Sequence, residues 1–133
     1  MVVDTSVALA WVLIDERNDS TDRILELVTN AGAWVPAIWR LEVANVLLQA
    51  IKRRRLDSEG RNQAIASLSA LPISIDPDTN AFAWSSTIEL AERFALTTYD
   101  ACYLELAQRR SLPLATLDRQ LSAAGKRLGI ALL

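Results

Sequence analysis

Short apolar segments alternate along this chain with longer segments in which apolar residues recur every third or fourth position. A short apolar run between polar or turn residues predicts a buried strand, whereas recurrence at helical spacing predicts an amphipathic helix. Strands are therefore predicted at residues 1–3, 33–35, 73–75, 113–116 and 129–133. Because parallel strands are joined by helical crossovers, this alternation predicts a mainly parallel sheet with helices on both faces. The predicted fold class is α/β.

The predicted helices fill the segments between these strands. They cover residues 5–13, 39–54, 58–71, 79–94, 99–110 and 121–128, and a further helix lies between polar breaks at 18–20 and 30–32. Thr5 or Ser6 can cap the first helix, and Asp78 or Thr79 can cap the one that ends at Phe94. The 133 residues contain only four glycines and four prolines and show no linker, so a single domain over residues 1–133 is expected.

The chain contains no histidine and a single cysteine, Cys102. These absences exclude Ser-His-Asp and Cys-His catalysis, histidine-based zinc sites and a cysteine zinc cage. An enzyme with this sequence must work with carboxylates, hydroxyls, lysine or arginine, and a hard metal ion. One cysteine cannot form an internal disulfide, which is typical of proteins from a reducing compartment.

Charge and hydropathy exclude further classes of protein. The formal net charge is −2, which argues against a protein that coats nucleic acid by bulk electrostatics. No apolar run approaches the roughly 18 residues that a membrane-spanning helix needs. The first residues lack a basic segment and Asp4 interrupts their apolar run, so no signal peptide is predicted. A cytoplasmic location without membrane contact is expected.

Four acidic residues stand at strand ends or helix beginnings. Asp4 follows the first predicted strand and Asp118 the fourth, while Glu42 and Asp100 lie in the first turns of predicted helices. Ligand sites of open parallel sheets form at the carboxyl ends of the strands, near the point where the strand order reverses. Each acid alone has a plainer explanation, as a helix cap, a partner of a helix dipole or a solvated side chain. Together they predict a shared site.

A shared acidic site predicts a bound cation. Buried carboxylates at close range are costly unless a cation bridges them. Mg²⁺ and Mn²⁺ suit such a site because they prefer oxygen ligands and retain several waters. These ions also activate water near neutral pH and stabilise displacement at phosphorus, so the chemistry needs no histidine.

Four motifs around these acids resemble those of the PIN-domain family, and within it the VapC-like toxins of bacterial toxin–antitoxin pairs. The motifs are VVDTSV at 2–7, LEVANVL at 41–47, TTYDACYLELA at 97–107 and ATLDRQL at 115–121. They occur in order and at compatible spacing over essentially the whole chain. The resemblance implies a PIN-like α/β/α sandwich.

The resemblance also implies a function. It assigns metal binding and catalysis to Asp4, Glu42, Asp100 and Asp118, which would hold Mg²⁺ or Mn²⁺. The implied reaction is endonucleolytic hydrolysis of RNA by a metal-activated water, leaving 5′-phosphate and 3′-hydroxyl ends. The implied partners are the RNA substrate and a cognate antitoxin protein that restrains the toxin.

Further residues are candidates for supporting roles around the acids. Ser6, Asn45 and Thr116 would orient the carboxylates through hydrogen bonds. Arg40, two residues before Glu42, would contact RNA at the rim of the site.

Two alternatives stay open from the sequence. One is a related nuclease that acts on DNA or in RNA maturation, and the other is a PIN-shaped binding module that no longer cleaves. The number of metal ions also stays open, because Arg119 and Gln120 follow Asp118 where some relatives carry further acids. An apolar fraction of 51% on a short chain, together with the resemblance, predicts a two-fold homodimer.

Overall fold

Four short parallel strands form the central sheet of the computed structural model, which describes residues 1–133 apart from the side chain of Ile14. The strands are β1 (Val2–Val3), β2 (Ala33–Val35), β3 (Ile73–Ile75) and β4 (Leu114–Ala115). Their order in the sheet is β3-β2-β1-β4, and every pairing among them is parallel. The α/β class and the parallel sheet predicted from the sequence are confirmed.

Helices connect the strands and flank the sheet. They are α1 (Thr5–Val12), α2 (Asp19–Ala31), α3 (Trp39–Lys52), α4 (Ser58–Ser69), α5 (Thr79–Phe82), α6 (Ile88–Phe94), α7 (Thr98–Arg109) and α8 (Arg119–Arg127). A 3₁₀ turn at Ile14–Glu16 follows α1, and a π-helical turn at Ala83–Thr87 joins α5 to α6. Among the residues described, no helix combines the length and apolarity that crossing a bilayer requires.

The single helix predicted for residues 79–94 is wrong, because the segment is interrupted in its middle. Ser85 has non-helical dihedral angles (φ −124°, ψ −106°) between the end of α5 and the start of α6. Its hydroxyl donates to the carbonyl of Phe82 at 3.4 Å. Serine hydroxyls compete in this way for the carbonyls that a helix uses, and such competition bends helices. The expected side-chain cap is also absent at Asp78, the first residue before α5.

The terminal strand predicted for residues 129–133 is also wrong. Only an isolated parallel bridge joins Leu132 to Leu114. The backbone N–H of Leu114 donates to Ala131 at 2.9 Å, and that of Leu133 donates to Leu114 at 3.1 Å.

The strand order reverses between β1 and β4. From β1 the chain moves outward through β2 to β3, and it then returns to place β4 on the other side of β1. Crevices of parallel sheets open at the carboxyl ends of strands at such a reversal. The residues that follow β1 and β4 therefore face the most favourable position for a ligand site.

Helix α7 lies at the centre of the packing. Every residue from 101 to 107 is buried, and Tyr103, Leu104 and Leu106 are fully so. Fully burying one leucine side chain contributes about 1.5–3 kcal/mol, so this helix is held firmly against the sheet. Its first turn projects from that fixed position toward the reversal point.

A buried ionic cluster, which the sequence analysis did not predict, ties the end of α7 to the end of β3. Asp76 is 0% exposed and accepts hydrogen bonds from Arg109 at 2.7 Å and Arg110 at 2.9 Å. Arg109 also pairs with buried Glu105 at 2.7 Å. Burial by itself raises the pKa of Asp76, but the two arginines outweigh it and hold that pKa below its ordinary value.

Candidate acidic active site

Asp4 lies between β1 and α1, at the reversal point of the sheet. Its backbone N–H donates to the carbonyl of Ala115 at 2.9 Å, which joins the ends of β1 and β4. The side chain is 7% exposed. Its Oδ2 accepts hydrogen bonds from Ser6 at 2.6 Å and from Thr116 at 2.8 Å. These two hydroxyls fix the orientation of a buried carboxylate.

Glu42 lies in the first turn of α3 and is half-buried. Its Oε2 accepts hydrogen bonds from the hydroxyl of Thr5 at 3.0 Å and from the hydroxyl of Tyr103. The two hydroxyls lie 2.8 Å from each other. Because Thr5 belongs to α1 and Tyr103 to α7, this carboxylate is positioned by three helices at once.

Asp100 lies in the first turn of α7 and is half-buried. The hydroxyl of Thr97 accepts from the backbone N–H of Asp100 at 3.1 Å and donates to its Oδ2 at 2.8 Å. These two hydrogen bonds cap α7 and orient the carboxylate of Asp100. A negative charge in the first turn also suits the dipole of the helix.

Asp118 is exposed and serves as the N-cap of α8. Its Oδ1 accepts from the backbone N–H of Leu121 at 2.8 Å. Its own N–H donates to the hydroxyl of Thr116 at 3.0 Å, the same hydroxyl that binds Asp4. Asp118 is therefore a helix cap, which was the plainer explanation of this acid. It is also linked to Asp4 through the hydroxyl of Thr116.

Three of the acids act on each other electrostatically. Burial raises the pKa of Asp4, the hydrogen bonds from Ser6 and Thr116 only partly offset it, and the charge of Asp100 raises it further. Burial likewise raises the pKa of Glu42, and the charges of Asp4 and Asp100 add to it. Burial is therefore the main cause of both raised pKa values, and the charges of neighbouring carboxylates add to it.

The donor set suits a hard divalent cation. Within the described residues, no three acids converge into a ready-made cage for an ion. Mg²⁺ does not need such a cage, because it retains several waters and binds through one or two carboxylates together with substrate phosphates. Carboxylates held by hydroxyls, with the pKa values of Asp4 and Glu42 raised mainly by burial and further by neighbouring charges, fit that mode of binding.

A sequence model of a known family matches this chain. The PIN domain model covers residues 1–127. The chain belongs to the PIN domain family. The resemblance of the four motifs is thereby confirmed.

Curated relatives of this PIN domain extend over almost its whole length. It is 31% identical to Ribonuclease VapC9 of Mycobacterium tuberculosis over 126 residues, which is 95% of this chain and 91% of the relative. It is 28% identical to Ribonuclease VapC3 of Pyrobaculum aerophilum over 122 residues, which is 92% of each chain.

Solved structures support the PIN fold. A crystal structure of a Pyrobaculum aerophilum protein superposes with a TM-score of 0.71 at 23% identity, covering 98% of this chain and 81% of that one. A chain from a toxin–antitoxin complex of Klebsiella pneumoniae gives a TM-score of 0.56 at 19% identity, covering 88% and 85%. At these identities the likeness shows the fold, and the predicted α/β/α sandwich is confirmed.

Two predicted site residues of this PIN domain make no hydrogen bond to the acids. Asn45 is exposed on α3, and the partners of Glu42 are Thr5 and Tyr103 instead. Arg40 is exposed and lines an apolar cavity of about 180 Å³ between α3, α4 and β3. Asn45 thus makes no hydrogen bond to the acids that would support its predicted role. That role and RNA contact by Arg40 stay predictions.

Two residues that hold Glu42 are not among those that the sequence predicts for the site. The pattern around Thr5 predicts only a helix cap, yet the N-cap position of α1 is Asp4 and the hydroxyl of Thr5 binds Glu42. Tyr103 is absent from the residues predicted for the site. Its spacing from Asp100 was the available signal, since residues three apart in a helix share a face.

Proposed function

We propose that this chain is a metal-dependent endoribonuclease and the toxin of a toxin–antitoxin pair. The observation that carries the proposal is the buried carboxylate of Asp4 at the reversal point of the sheet, within electrostatic range of Glu42 and Asp100. Relatives named as VapC ribonucleases, which align with nearly the whole chain, support RNA as the substrate.

The proposed metal ligands are Asp4, Glu42, Asp100 and Asp118. We favour Mg²⁺ or Mn²⁺ because every available donor is a hard oxygen. When bound, such an ion supplies an activated water near neutral pH and stabilises the charge that develops at phosphorus. The affinity for the ion rises with the number of these carboxylates that are ionised and correctly oriented.

Four hydroxyls of the chain would orient the proposed metal ligands. Ser6 and Thr116 hold the Oδ2 of Asp4, which leaves its other oxygen available to a ligand. Thr5 and Tyr103 hold the Oε2 of Glu42 in the same way. Because the site is oriented before substrate arrives, little reorganisation is needed during the reaction.

The proposed partners are RNA, an antitoxin protein and a second copy of the chain, in the cytoplasm. The solved complex from Klebsiella pneumoniae is described as a toxin–antitoxin complex, which supports an antitoxin partner. An arginine delivered by the antitoxin would pair with the carboxylates and compete with the metal ion.

The decisive experiment is a cleavage assay with purified protein. Single-stranded and structured RNA, and DNA of matched sequence, are incubated with Mg²⁺ or Mn²⁺ and with excess EDTA. We expect cleavage of RNA only, stopped by EDTA and abolished in Asp4→Asn and Asp100→Asn. Full cleavage in EDTA excludes the metal mechanism, cleavage of DNA alone supports the DNA nuclease, and folded protein that binds RNA without cutting it supports the binding module.

A further inference from the structure

Three of the four acids are directly preceded in sequence by a large apolar side chain that is exposed. These residues are Leu41 before Glu42, Tyr99 before Asp100 and Leu117 before Asp118, and they are 75%, 63% and 45% exposed. We call this set the apolar rim. Adjacent Cα atoms lie about 3.8 Å apart, so the backbone of each rim residue lies next to that of an acid. The fourth acid, Asp4, has buried Val3 before it instead.

The backbone beneath the rim is fixed, so this exposure does not come from a loose loop. The N–H of Leu117 donates to the hydroxyl of Ser6 at 3.0 Å, and that hydroxyl binds Asp4. Tyr99 lies in the first turn of α7, where its carbonyl accepts from the thiol of Cys102 at 2.8 Å. The backbone that carries Leu117 and Tyr99 is therefore held in place beside the acids, while their side chains are exposed to solvent.

The charge of the site limits how it can bind RNA. Carboxylates repel phosphate groups, and a chain with a net charge of −2 offers little general attraction to a polyanion. Besides a cation such as the exposed Arg40, binding can then draw on the uncharged part of a nucleotide. Unpaired bases supply it, because each base has a flat apolar face that stacks on aromatic side chains regardless of sequence.

We propose that Tyr99 is a stacking platform for an unpaired base next to the phosphodiester that is cut, with Leu41 and Leu117 packing on either side of the nucleotide. This inference rests on the proposed ribonuclease function and deepens it. The substrate is accordingly RNA that is single-stranded at the point of cleavage, since a paired base has its faces occupied by its neighbours in the helix.

A protein segment that carries no cationic side chain fits the rim less well. Apolar and acidic residues lie one position apart along the chain at all three places, so an apolar partner would also bury the carboxylates. Buried carboxylates without partners are costly. A nucleotide meets both kinds of surface at once, with its base on the rim and its phosphate toward the acids and their cation.

The test compares steady-state cleavage of single-stranded RNA by wild type, Tyr99→Ala, Tyr99→Leu and Tyr99→Phe, with Leu27→Ala as the control. Leu27 is an exposed apolar residue of α2 and lies outside the rim. We expect Tyr99→Ala to raise KM by about 5- to 150-fold with kcat nearly unchanged. Tyr99→Phe should restore the wild-type KM, Tyr99→Leu should not, and Leu27→Ala should match wild type.

A spectroscopic measurement reports stacking directly. RNA with 2-aminopurine beside the mapped cleavage position is bound to Asp4→Asn protein, with and without Tyr99→Ala. Stacking on an aromatic ring quenches this base, so quenching should occur only where Tyr99 is present.

The outcomes separate the two proposals. If wild type cuts no RNA with Mg²⁺ or Mn²⁺, the proposed function is wrong, whatever the rim does. If wild type cuts RNA and Tyr99→Ala keeps its KM and its quenching, the stacking role alone is wrong. An equal loss in Tyr99→Phe and Tyr99→Ala would also overturn it, as would a Tyr99→Ala variant that loses only the binding of a protein partner.

Discussion

The buried hydroxyl of Tyr103 donates a hydrogen bond to the carboxylate of Glu42, 61 positions away in the sequence. Burial raises the pKa of Tyr103, and the charge of Glu42 raises it further. The phenol therefore keeps its proton over the whole working range of pH and always acts as a donor. Glu42 is thus held by a group anchored in the core of the protein.

Replacing Tyr103 by phenylalanine should weaken the site without unfolding the chain. The ring would still fill its place in the core, but Glu42 would keep only the hydrogen bond from Thr5. Loss of a group that orients a metal ligand costs about 10- to 100-fold in metal affinity or activity. Losing a hydrogen bond to a charged group costs about 1.5–3 kcal/mol of stability.

Titrating activity against Mn²⁺ and recording thermal unfolding would measure both effects of Tyr103→Phe. Tyr99→Phe makes the same chemical change at an exposed position and should leave the Mn²⁺ dependence unchanged. An unaltered Mn²⁺ requirement in Tyr103→Phe would show that Glu42 needs no support from the core.

Replacing Asp4 by asparagine should abolish cleavage while the metal-free protein becomes no less stable at neutral pH. The pKa of Asp4 is raised in the folded state, mainly by burial. Its contribution to stability is therefore complete below the ordinary carboxyl pKa of about 4 and is lost as the pH rises through the raised value. The neutral amide does not titrate and avoids this loss.

Thermal unfolding in EDTA between pH 5 and pH 7 tests this expectation. The melting temperature of Asp4→Asn should rise relative to that of wild type as the pH increases. Glu26→Gln removes one negative charge from the exposed part of α2 and should show no such trend. A melting temperature for Asp4→Asn far below wild type at pH 7 would mean that the acid stabilises the fold.

The sequence predicted the location of the site because strand ends leave a clear local pattern. A short apolar run that ends in Asp4 and continues into a helix places a carboxylate at the edge of a parallel sheet. Thr116 stands in the same relation to β4, and the structure joins the two side chains at 2.8 Å. Both elements are strongly apolar, so no tertiary contact was needed to assign them.

Residues that act through tertiary contacts could not be assigned in this way. Tyr103 has the pattern of one more apolar residue of α7, and its hydrogen bond to Glu42 exists only because the tertiary fold brings it to the first turn of α3. Asp76 has the pattern of a turn residue, whereas its two arginine partners are the last residue of α7 and the residue that follows it. Asn45 shares a face of α3 with Glu42 but makes no hydrogen bond to it, so its supporting role stays a prediction.

Replacing Asp76 by asparagine should reduce stability strongly and alter its dependence on acid. Breaking one partner of a buried ion pair costs about 3–5 kcal/mol because the remaining charges lose their partner. The pKa of Asp76 is lowered in the folded state, so its contribution is present above the ordinary carboxyl pKa and is lost as the pH falls.

Urea unfolding from pH 3 to pH 7 should show that Asp76→Asn is less stable at neutral pH and that the gap to wild type narrows in acid. Asp78→Asn is the matched control, because the side chain of Asp78 is 58% exposed and comes no closer to Arg109 than 4.0 Å. A gap of constant size across the range would assign the cost to packing and not to charge.

The free protein should be a two-fold dimer. Trp84, on the π-helical turn, is 95% exposed in the isolated chain, and so large an apolar side chain in water favours contact with a partner. Light scattering at micromolar concentration should give twice the mass of the chain. A strictly monomeric mass would contradict the prediction. In that case Trp84→Arg should leave the mass unchanged.

Two substitutions of Asp118 distinguish metal binding from helix capping. The carboxylate caps α8 through the N–H of Leu121 at 2.8 Å, and asparagine caps a helix about as well as aspartate, whereas alanine does not. Asp118→Ala should therefore lose about 1 kcal/mol of stability, while Asp118→Asn should melt like wild type. If the negative charge of Asp118 also serves the metal ion, both variants should need more Mn²⁺ for half-maximal cleavage and should lose activity to a similar degree. Should Asp118→Asn keep its activity and its Mn²⁺ requirement, Asp118 is a cap alone, and the site consists of Asp4, Glu42 and Asp100.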